Sequence, residues 1–291
     1  SVLSIIISIF YSVFMKDLYI TTLIFQNINK YVRKTVQFVK IRKYLTHDII
    51  QAQKEELIMS KIEAVFFDYG ETLIHEIYFN PLKGTKAVLK YSNKPDFDVE
   101  IIQELAKKYS CEQRMYQKEG EEENYLEIPN RLFQHYLYDY YDIQINLSDE
   151  KMEEVFWNTA APYEKMDGAQ ELLEFLMKRN IKIGVVSNIS FNKKLLTERL
   201  YRIYPNIKFD VIVTSADYCI RKPNSLIFDI ACTIAHVDKT KTIYIGDQIK
   251  ADYEGANNAG LRGLLISDMY FSNKKVFKNL KYVKGYIENE I

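Results

Sequence analysis

Short apolar runs that alternate with helical patterns are the feature that most constrains the fold of this chain. The runs are rich in β-branched residues and have the length of buried strands. They occupy residues 62–67, 181–186, 211–213, 242–245 and 264–266. Strands that alternate with helices form parallel sheets with right-handed crossovers. The alternation therefore predicts an α/β fold that is built on a parallel sheet.

Two of the intervening helical patterns have an apolar face at helical spacing, which predicts helices that pack against the sheet. The predicted apolar faces consist of Leu172, Leu173, Leu176 and Met177 in residues 168–180, and of Leu226, Ile227, Ile230 and Ile234 in residues 223–235.

The stretch from residue 79 to residue 162 breaks this alternation. It contains helix-like patterns rich in Glu, Lys and Tyr, for example at residues 98–117 and 128–141. A crossover between parallel strands needs only about a dozen residues. Residues 79–162 are therefore predicted to form an inserted helical subdomain, whose aromatic residues serve helix packing.

The overall composition limits the kinds of partner. The 39 basic residues equal the 39 acidic residues in number, so no global field attracts the chain to nucleic acid or to an acidic membrane. A small ligand is favoured. The cysteines Cys111, Cys219 and Cys232 are widely spaced and lack a zinc-binding pattern. This favours a reduced compartment, and we predict a cytoplasmic protein.

The first 58 residues are unusual for such a protein. They open with an apolar stretch that lacks a clear signal-peptide pattern, and a spanning helix would carry Lys16 and Asp17 at ~2.5–3.5 kcal/mol each. The basic residues between 30 and 43 alternatively suit an interfacial amphipathic helix. Because Met59 resembles an ordinary protein start, residues 1–58 are predicted to be a dispensable, non-native or mis-assigned extension, and membrane association is disfavoured.

Chemically distinctive side chains follow the predicted strands. In open parallel sheets, ligands bind beyond the carboxyl ends of the strands. These residues are Asp68 after the first run, Ser187 and Asn188 after the second, Lys222 before the helix of residues 223–235, and Asp247 and Asp252 after the fourth run. Each alone is commonly a helix cap or a turn residue. Together, in this order, they indicate a functional site.

This set of groups suits phosphoryl transfer. A carboxylate such as Asp68 can attack phosphorus and form an acyl phosphate, which divides hydrolysis into two easier steps. A divalent cation held by Asp68, Asp247 and in addition Asp252 would offset the repulsion between anions. Lys222 would balance the remaining charge, and Ser187 with adjacent N–H groups would hold the phosphoryl oxygens.

Four segments resemble the four motifs of the haloacid dehalogenase-like hydrolase superfamily. They are "FFDYGETL" at 66–73, "IGVVSN" at 183–188, "SADYCIRKPNSLIFDIA" at 215–231 and "IYIGDQIKADYEGANNAG" at 243–260. The resemblance covers about residues 59–267. It implies a Rossmann-like core with the first strand central and helices on both faces. It also implies a helical cap at residues 79–162, inserted between core segments 59–78 and 163–291.

The same resemblance assigns roles to the residues at the strand ends. It implies that Asp68 is the catalytic nucleophile and that Lys222 and Ser187, with Asn188, bind the phosphate. It implies a Mg²⁺ ion whose protein ligands are Asp68, the backbone carbonyl of Gly70, Asp247 and Asp252. The predicted function is that of a Mg²⁺-dependent phosphatase, which hydrolyses a small phosphorylated metabolite through an aspartyl phosphate on its nucleophile.

The sequence departs from the family pattern at Gly70. Most phosphatases of the superfamily have a second Asp at this position, which protonates the leaving group and is worth ~10²–10⁴ in rate. Glu71 and His75 are nearby in sequence, but neither occupies that position. A carbon–halogen hydrolase, a phosphonate hydrolase that uses a cap lysine, and a phosphate-binding protein with slow or no turnover therefore stay open. The Asp247–Asp252 pair argues against the first.

Overall fold

The computed structural model describes residues 62–115, 126–269 and 274–290 of the 291-residue chain, with only the backbone of residues 111–115. The predicted extension of residues 1–58, with its amphipathic-helix alternative, lies outside the described residues. None of the helices in the described ranges is long and apolar enough to cross a membrane.

A parallel sheet forms the centre of the molecule. Six strands of the described chain are arranged in the order β5-β4-β1-β6-β7-β8. They are β1 (Ala64–Phe67), β4 (Lys182–Ser187), β5 (Val211–Thr214), β6 (Thr242–Gly246), β7 (Arg262–Ile266) and β8 (Val276–Phe277). Phe67 pairs with Val185 on one side and with Ile245 on the other, so β1 is an inner strand. The predicted strands and the central place of the first are confirmed; β8 was not predicted.

Hydrophobic clusters cover both faces of this sheet. Along β1, Val65 and Phe67 belong to one cluster, whereas Ala64 and Phe66 belong to the other. Alternate residues of a strand point to opposite faces, which explains the division. The described core helices are α5 (Ala169–Lys178), α6 (Lys193–Ile203), the short α7 (Ser215–Tyr218), α8 (Ser225–Ala235), α9 (Gly255–Asn258), which continues a π-helical segment (Ile249–Glu254), and α10 (Leu280–Glu290). A 3₁₀ turn (Lys239–Lys241) precedes β6. The predicted α/β fold with helices on both faces is confirmed.

The predicted apolar face of α8 is wrong in part. Leu226 is 52% exposed and Ile234 is 42% exposed. The buried side consists of Ile227, Phe228, Ala231, Cys232 and Ala235. The apolar residues of this helix surround most of its circumference, so periodicity alone permits more than one face. The small Ala and Cys side chains allow the helix to approach the sheet closely, which selects the observed one.

A small antiparallel hairpin and a helical insertion follow β1. Strands β2 (Ile74–Glu76) and β3 (Tyr163–Lys165) pair with each other, although 86 residues separate them in the chain. Between them, the described helices are α1 (Pro81–Leu89), α2 (Val99–Met115), α3 (Asn130–Tyr140) and α4 (Asp149–Ala160). These helices lie within the residues assigned to the predicted cap. That they close over a substrate stays a prediction.

A buried arginine joins the insertion to the core where α4 leads into β3. Arg199 on α6 is 1% exposed and donates to the carbonyl oxygens of Trp157 and Ala161. Its guanidinium lies 3.9 Å from the ring centroid of Trp157 and 4.1 Å from that of Tyr163. Glu76 on β2 lies within 3.7 Å of it. A buried cation is stable only with such partners, so this arginine holds both strands of the hairpin against the core.

Candidate active site

The carboxylate of Asp68 lies at the carboxyl end of the central strand. Its backbone N–H donates to the carbonyl oxygen of Ile245 at 2.9 Å, which extends the pairing between β1 and β6 by one residue. The side chain is 6% exposed. Ser187 is the last residue of β4 and is also buried, and Asp247 directly follows β6. The parallel strands thus bring these three side chains to one edge of the sheet.

The ammonium group of Lys222 connects the acidic residues. Its Nζ donates to Asp68 Oδ1 at 2.9 Å, to Asp252 Oδ1 at 2.6 Å and to the Tyr244 hydroxyl at 2.7 Å. A lysine ammonium has three N–H donors, so all of them are used. Lys222 is 3% exposed, and its two carboxylate partners raise its pKa despite its burial. Its charge therefore persists inside the protein.

The side chain of Asn188 determines where the Lys222 backbone lies. Its Nδ2 donates to the Lys222 carbonyl oxygen at 2.9 Å, and its Oδ1 accepts the Lys222 N–H at 2.7 Å. Asn188 was predicted to bind phosphate, but its side-chain amide is engaged with the protein on both sides. Burial raises the pKa of the Asp68 carboxyl group, although the Lys222 ammonium and the nearby Ser187 hydroxyl lower it in part.

Asp252 is fully buried and both of its oxygens have partners. Oδ1 accepts from Lys222, and Oδ2 accepts the backbone N–H of Gln248 at 2.9 Å. The close approach requires a glycine at 246, because a Cβ there would lie 2.3 Å from the Asp252 carboxyl carbon. Asp252 therefore holds the side chain of Lys222, while Asn188 holds the backbone of Lys222.

Tyr244 belongs to the same network but was not predicted from the sequence. Its hydroxyl donates to the carbonyl oxygen of Val186 at 2.7 Å and lies 3.2 Å from Asp252 Oδ1. Burial raises its pKa well above the ordinary value, so the hydroxyl stays neutral. The available signal was a tyrosine inside a fully buried strand, since a buried phenol normally needs a hydrogen-bond partner.

The carboxylate of Asp247 is only partly satisfied by hydrogen bonds from the described residues. Its Oδ1 is buried and has no hydrogen-bond partner among the described residues. Burial and the nearby carboxylates of Asp68 and Asp252 raise its pKa to about 7. Oxygen atoms of these three carboxylates all lie within 4.8 Å of one another. Among the described ion pairs, the Lys222 ammonium contacts Asp68 and Asp252, so one positive charge faces three carboxylates. A divalent cation suits the excess negative charge, and carboxylate oxygens are the ligands that Mg²⁺ prefers.

At the position of the family's second Asp, the part of the chain that the structure describes places no acidic side chain. A Cβ added at Gly70 would meet no described heavy atom within 4 Å. Glu71 and His75, the nearby residues in sequence, bind each other instead, with Oε2 and Nδ1 separated by 2.9 Å. Both side chains are about half exposed, at 48% and 46%. The glutamate raises the pKa of the imidazole, which stabilises the pair as an exposed ion pair.

A segment of the insertion contacts the loops that carry Lys222 and Ser187. Buried Glu127 accepts a hydrogen bond from Ser215 at 2.7 Å and another from Arg221, the neighbour of the lysine. The Asn130 N–H donates to the Ser190 carbonyl oxygen at 2.8 Å. Sequence reasoning missed both contacts, which link the insertion to the two loops that hold the site.

A family model described as haloacid dehalogenase-like hydrolase matches residues 92–266, which is more than half of the chain. The fold and the site thus define an α/β protein with a buried Asp–Lys–Asp centre at the carboxyl edge of its parallel sheet. The chain belongs to the haloacid dehalogenase-like hydrolase family. The matched residues include Ser187, Lys222, Asp247 and Asp252, and they begin after the segment that contains Asp68.

Individual relatives agree with this assignment. Over 136 residues the chain is 32% identical to the pyrimidine 5′-nucleotidase YjjG of Escherichia coli K12, an alignment that covers 46% of this chain and 59% of the relative. The chain spans about half the length of the curated relatives that it matches.

Solved structures share the fold. A 2-haloacid dehalogenase from Pseudomonas syringae pv. tomato superposes with a TM-score of 0.54 over 79% of this chain and 100% of that one. A HAD phosphatase from Thermococcus onnurineus superposes with a TM-score of 0.52 over 77% and 97% of the two chains. Both are 18% identical, so the likeness concerns the fold alone.

Proposed function

We propose that the chain is a Mg²⁺-dependent phosphatase that hydrolyses a small phosphorylated metabolite through an aspartyl phosphate on Asp68. One observation carries the proposal. A buried carboxylate at the end of the central strand is held by Lys222, while the neighbouring Asp247 has a buried oxygen with no hydrogen-bond partner in the described part of the chain. A site with this excess of negative charge is suited to a cation and to a phosphoryl group that the cation accompanies.

The nucleophilic step rests on the position of the Asp68 carboxylate. Lys222 donates to Oδ1, which leaves Oδ2 to form a bond to phosphorus as the bond from phosphorus to the leaving-group oxygen breaks. Ser187 lies beside this carboxylate and can donate to a phosphoryl oxygen. The Lys222 N–H that donates to Asp68 in the absence of substrate can turn to a phosphoryl oxygen when the phosphate binds. Attack of water on the acyl phosphate then releases inorganic phosphate and restores the aspartate.

The cation site consists of Asp68, Asp247 and the backbone carbonyl of Gly70. When bound there, Mg²⁺ would neutralise charge on the carboxylates and on the substrate phosphate. Both oxygens of Asp252 already accept hydrogen bonds from the protein, so we assign it chiefly to orienting Lys222, and to the cation through water. Asp252 is then a positioning residue.

A binding role with slow or no turnover is the second candidate. It is favoured by Gly70, since no described acidic side chain occupies the position from which the family protonates the leaving group. Carbon–halogen cleavage is less well supported, because the Asp247 oxygen without a partner suits a cation that this chemistry does not use. A small phosphorylated partner and a cytoplasmic location remain predictions.

A screen of phosphorylated metabolites, with and without Mg²⁺, tests the proposal. The Asp68→Asn variant keeps the shape of the side chain but removes its nucleophilic charge, so hydrolysis should vanish while the protein stays folded. Asp96→Asn, at an exposed position in the insertion, is the matched control and should retain full activity. Undiminished turnover by Asp68→Asn would exclude the covalent route.

A further inference from the structure

Glu127 is a residue of the insertion whose side chain is bonded to the core. It is 9% exposed, and a carboxylate that is buried to this extent is stable only with polar partners. Its Oε2 accepts a hydrogen bond from the Ser215 hydroxyl at 2.7 Å and another from the Arg221 guanidinium. Ser215 begins α7 and Arg221 precedes α8, so both donors belong to the core. The insertion thus supplies a carboxylate that satisfies two polar groups of the core.

The backbone around Glu127 contacts the same part of the core. The Glu127 N–H donates to the carbonyl oxygen of Cys219 at 3.2 Å, and Leu126 forms an antiparallel bridge with Ile220. These two core residues lie directly before Arg221 in the chain. Side chain and backbone of the insertion thus contact one short segment, which leads into the lysine of the acidic centre.

This segment begins with a backbone conformation that its neighbours must hold. Cys219 ends α7 with a φ of 53°, in the left-handed region that residues other than glycine adopt rarely. Such a residue keeps its conformation when the surrounding contacts fix it. Its carbonyl oxygen accepts the Glu127 N–H, so the insertion supplies one of these contacts. Release of the insertion would therefore leave this turn less constrained, three residues before Lys222.

The Ser215 hydroxyl extends the contact to the loop after β4. Its oxygen accepts the N–H of Ile189, two residues after Ser187, at 2.8 Å. A hydroxyl has one donor, which can point either to Glu127 at 2.7 Å or to the Ile189 carbonyl oxygen at 3.1 Å. The shorter distance and the negative charge favour the carboxylate. Glu127 therefore orients a hydroxyl that also bonds to the loop after Ser187.

The insertion has other attachments to the core besides Glu127. Arg199 joins the two parts at a different point, where α4 leads into β3. The N–H of Asn130 gives a further contact, to the Ser190 carbonyl oxygen. Loss of the Glu127 carboxylate should thus affect the segment before Lys222 without detaching the insertion.

Contacts from the core and from the insertion together determine where Lys222 lies. Asp252 binds its side chain and Asn188 binds its backbone, and both of these residues belong to the core. Arg221, its neighbour in the chain, is bonded to Glu127 of the insertion. The core contacts place the ammonium by themselves, whereas the contact to Glu127 makes its placement depend on the insertion.

We propose that Glu127 is a positioning residue, through which the insertion aligns the Lys222 ammonium with Asp68. Arg221 transmits the effect, because it is bonded to Glu127 and adjoins the lysine in the chain. The inference rests on the proposed phosphatase reaction for its effect on turnover, and on the contacts alone for its effect on the lysine. It implies that the acidic centre is fully aligned only with the insertion in place.

The NMR signal of the Lys222 ammonium tests the alignment without any turnover. All of its N–H donors are bonded inside the protein, so its protons should exchange slowly enough to be observed in protein that contains isotope-labelled lysine. Lys222→Met assigns the signal. Glu127→Gln keeps the shape of the side chain but removes its charge, and should shift or broaden this signal. Glu104→Gln, at an exposed position of α2, is the matched control and should leave it unchanged.

Steady-state kinetics with a substrate from the metabolite screen measure the consequence for turnover. Glu127→Gln should lower kcat about tenfold, the lower end of the usual cost of removing a group that orients an active-site residue. KM should change less, because misalignment of the lysine acts mainly in the transition state. Arg221→Gln should cause a similar loss, and the double variant should lose no more than either single variant. Arg221→Lys keeps a cation opposite Glu127 and should retain more activity than Arg221→Gln.

The outcomes separate this inference from the phosphatase proposal. An unchanged Lys222 signal in folded Glu127→Gln would overturn the inference and leave the phosphatase proposal standing. Arg221→Gln, at a half-exposed position, gives the same test if Glu127→Gln does not fold. Losses that multiply in the double variant would show that Glu127 does not act through Arg221, and would also overturn the inference. A shifted Lys222 signal in a protein that hydrolyses none of the screened phosphates would support the inference, and the phosphatase proposal alone would fail.

Discussion

Asn188 and the backbone of Lys222 form a two-sided amide pair, with one hydrogen bond of 2.9 Å and one of 2.7 Å. The pair joins the end of β4 to the segment before α8. Since the Lys222 side chain bridges two carboxylates, a shift of its backbone would move the only ammonium of the described centre. The asparagine thus acts on the nucleophile through the lysine.

Replacement of this asparagine should impair activity through the lysine. Asn188→Leu keeps the size of the side chain but leaves a backbone N–H and a carbonyl group without partners, at about 1–3 kcal/mol each if they stay buried. We expect kcat/KM to fall about 10–100-fold, the usual cost of removing a group that orients an active-site residue. Turnover and urea unfolding measure the two effects. Asn146→Leu, on the exposed surface, is the control; equal activity of both variants would contradict the positioning role.

Asp247 and Asp252 should respond differently to the same substitution. Asp247→Asn removes a carboxyl group whose pKa is raised to about 7 by burial and by neighbouring carboxylates. Mg²⁺ affinity should fall sharply, whereas the metal-free protein should melt at a higher temperature at pH 8, because repulsion is relieved. Asp252→Asn breaks a buried ion pair and should cost roughly 3 kcal/mol of unfolding free energy, with less effect on Mg²⁺.

Calorimetric titration with Mg²⁺ and thermal unfolding in chelator test this contrast. Loss of Mg²⁺ binding in Asp252→Asn with normal binding in Asp247→Asn would reverse the assignment of the two residues. Absence of binding by the unmutated protein would favour the binding-protein alternative or carbon–halogen chemistry.

The buried carboxyl group of Glu153 on α4 should make the stability of the protein depend on pH. Burial raises its pKa to about 7, against the lowering effect of Arg131, while Asp149 and Asp217 raise it further. The folded state therefore holds this proton more tightly than the unfolded state, in which the carboxyl group has its ordinary pKa of 4.5. The unfolding free energy should fall as pH rises between these two values, by up to roughly 3 kcal/mol. Below 4.5 both states are protonated, and the contribution no longer changes.

Glu153→Gln isolates this effect, since the amide cannot ionise but can still accept the hydrogen bond from Asn192. The stability of the variant relative to the wild type should increase from pH 5 to pH 8, as measured by urea unfolding. The exposed Glu104→Gln supplies the baseline. A difference that stays constant over this range would mean that the carboxyl group titrates normally.

The parts of the fold that the sequence predicts are those with a local signal. A parallel strand buried on both faces, such as β1, appears as a continuous apolar run. The hairpin of β2 and β3 has strands of only three residues, and the partners are far apart in the chain, so no local pattern indicates it. The two-residue β8 is likewise too short to give a local pattern in the sequence.

The residues of the candidate site also differ in whether the sequence alone indicates them. Asp68 and Asp247 could be predicted because each directly follows an apolar run at the functional edge of the sheet. Tyr244 looks like an ordinary core aromatic until its hydroxyl is placed beside Asp252. Glu127 pairs with Arg221, which lies 94 residues further along the chain, and only the fold brings them together. Residues that position others have no signal of their own in a single sequence.

Gly70→Asp tests whether the absent general acid limits the reaction. The glycine does not have a positive φ, and an added Cβ would meet nothing within 4 Å among the described residues, so an aspartate fits without strain. For an alkyl phosphate, whose leaving group is poor, turnover should rise about tenfold or more, because a positioned acid typically contributes 10²–10⁴. For an aryl or acyl phosphate, which leaves without a proton, the gain should be small.

Gly285→Asp is the matched control, because a Cβ at this glycine of α10 also meets open space, and the residue lies outside the acidic centre. It should leave the turnover of both substrates unchanged. A gain in Gly70→Asp that is confined to alkyl phosphates would identify leaving-group protonation as the missing step. If the folded variant shows no gain with them, either another group already supplies the proton or hydrolysis is not the native function. Binding of a phosphorylated ligand without turnover would then decide in favour of the binding role.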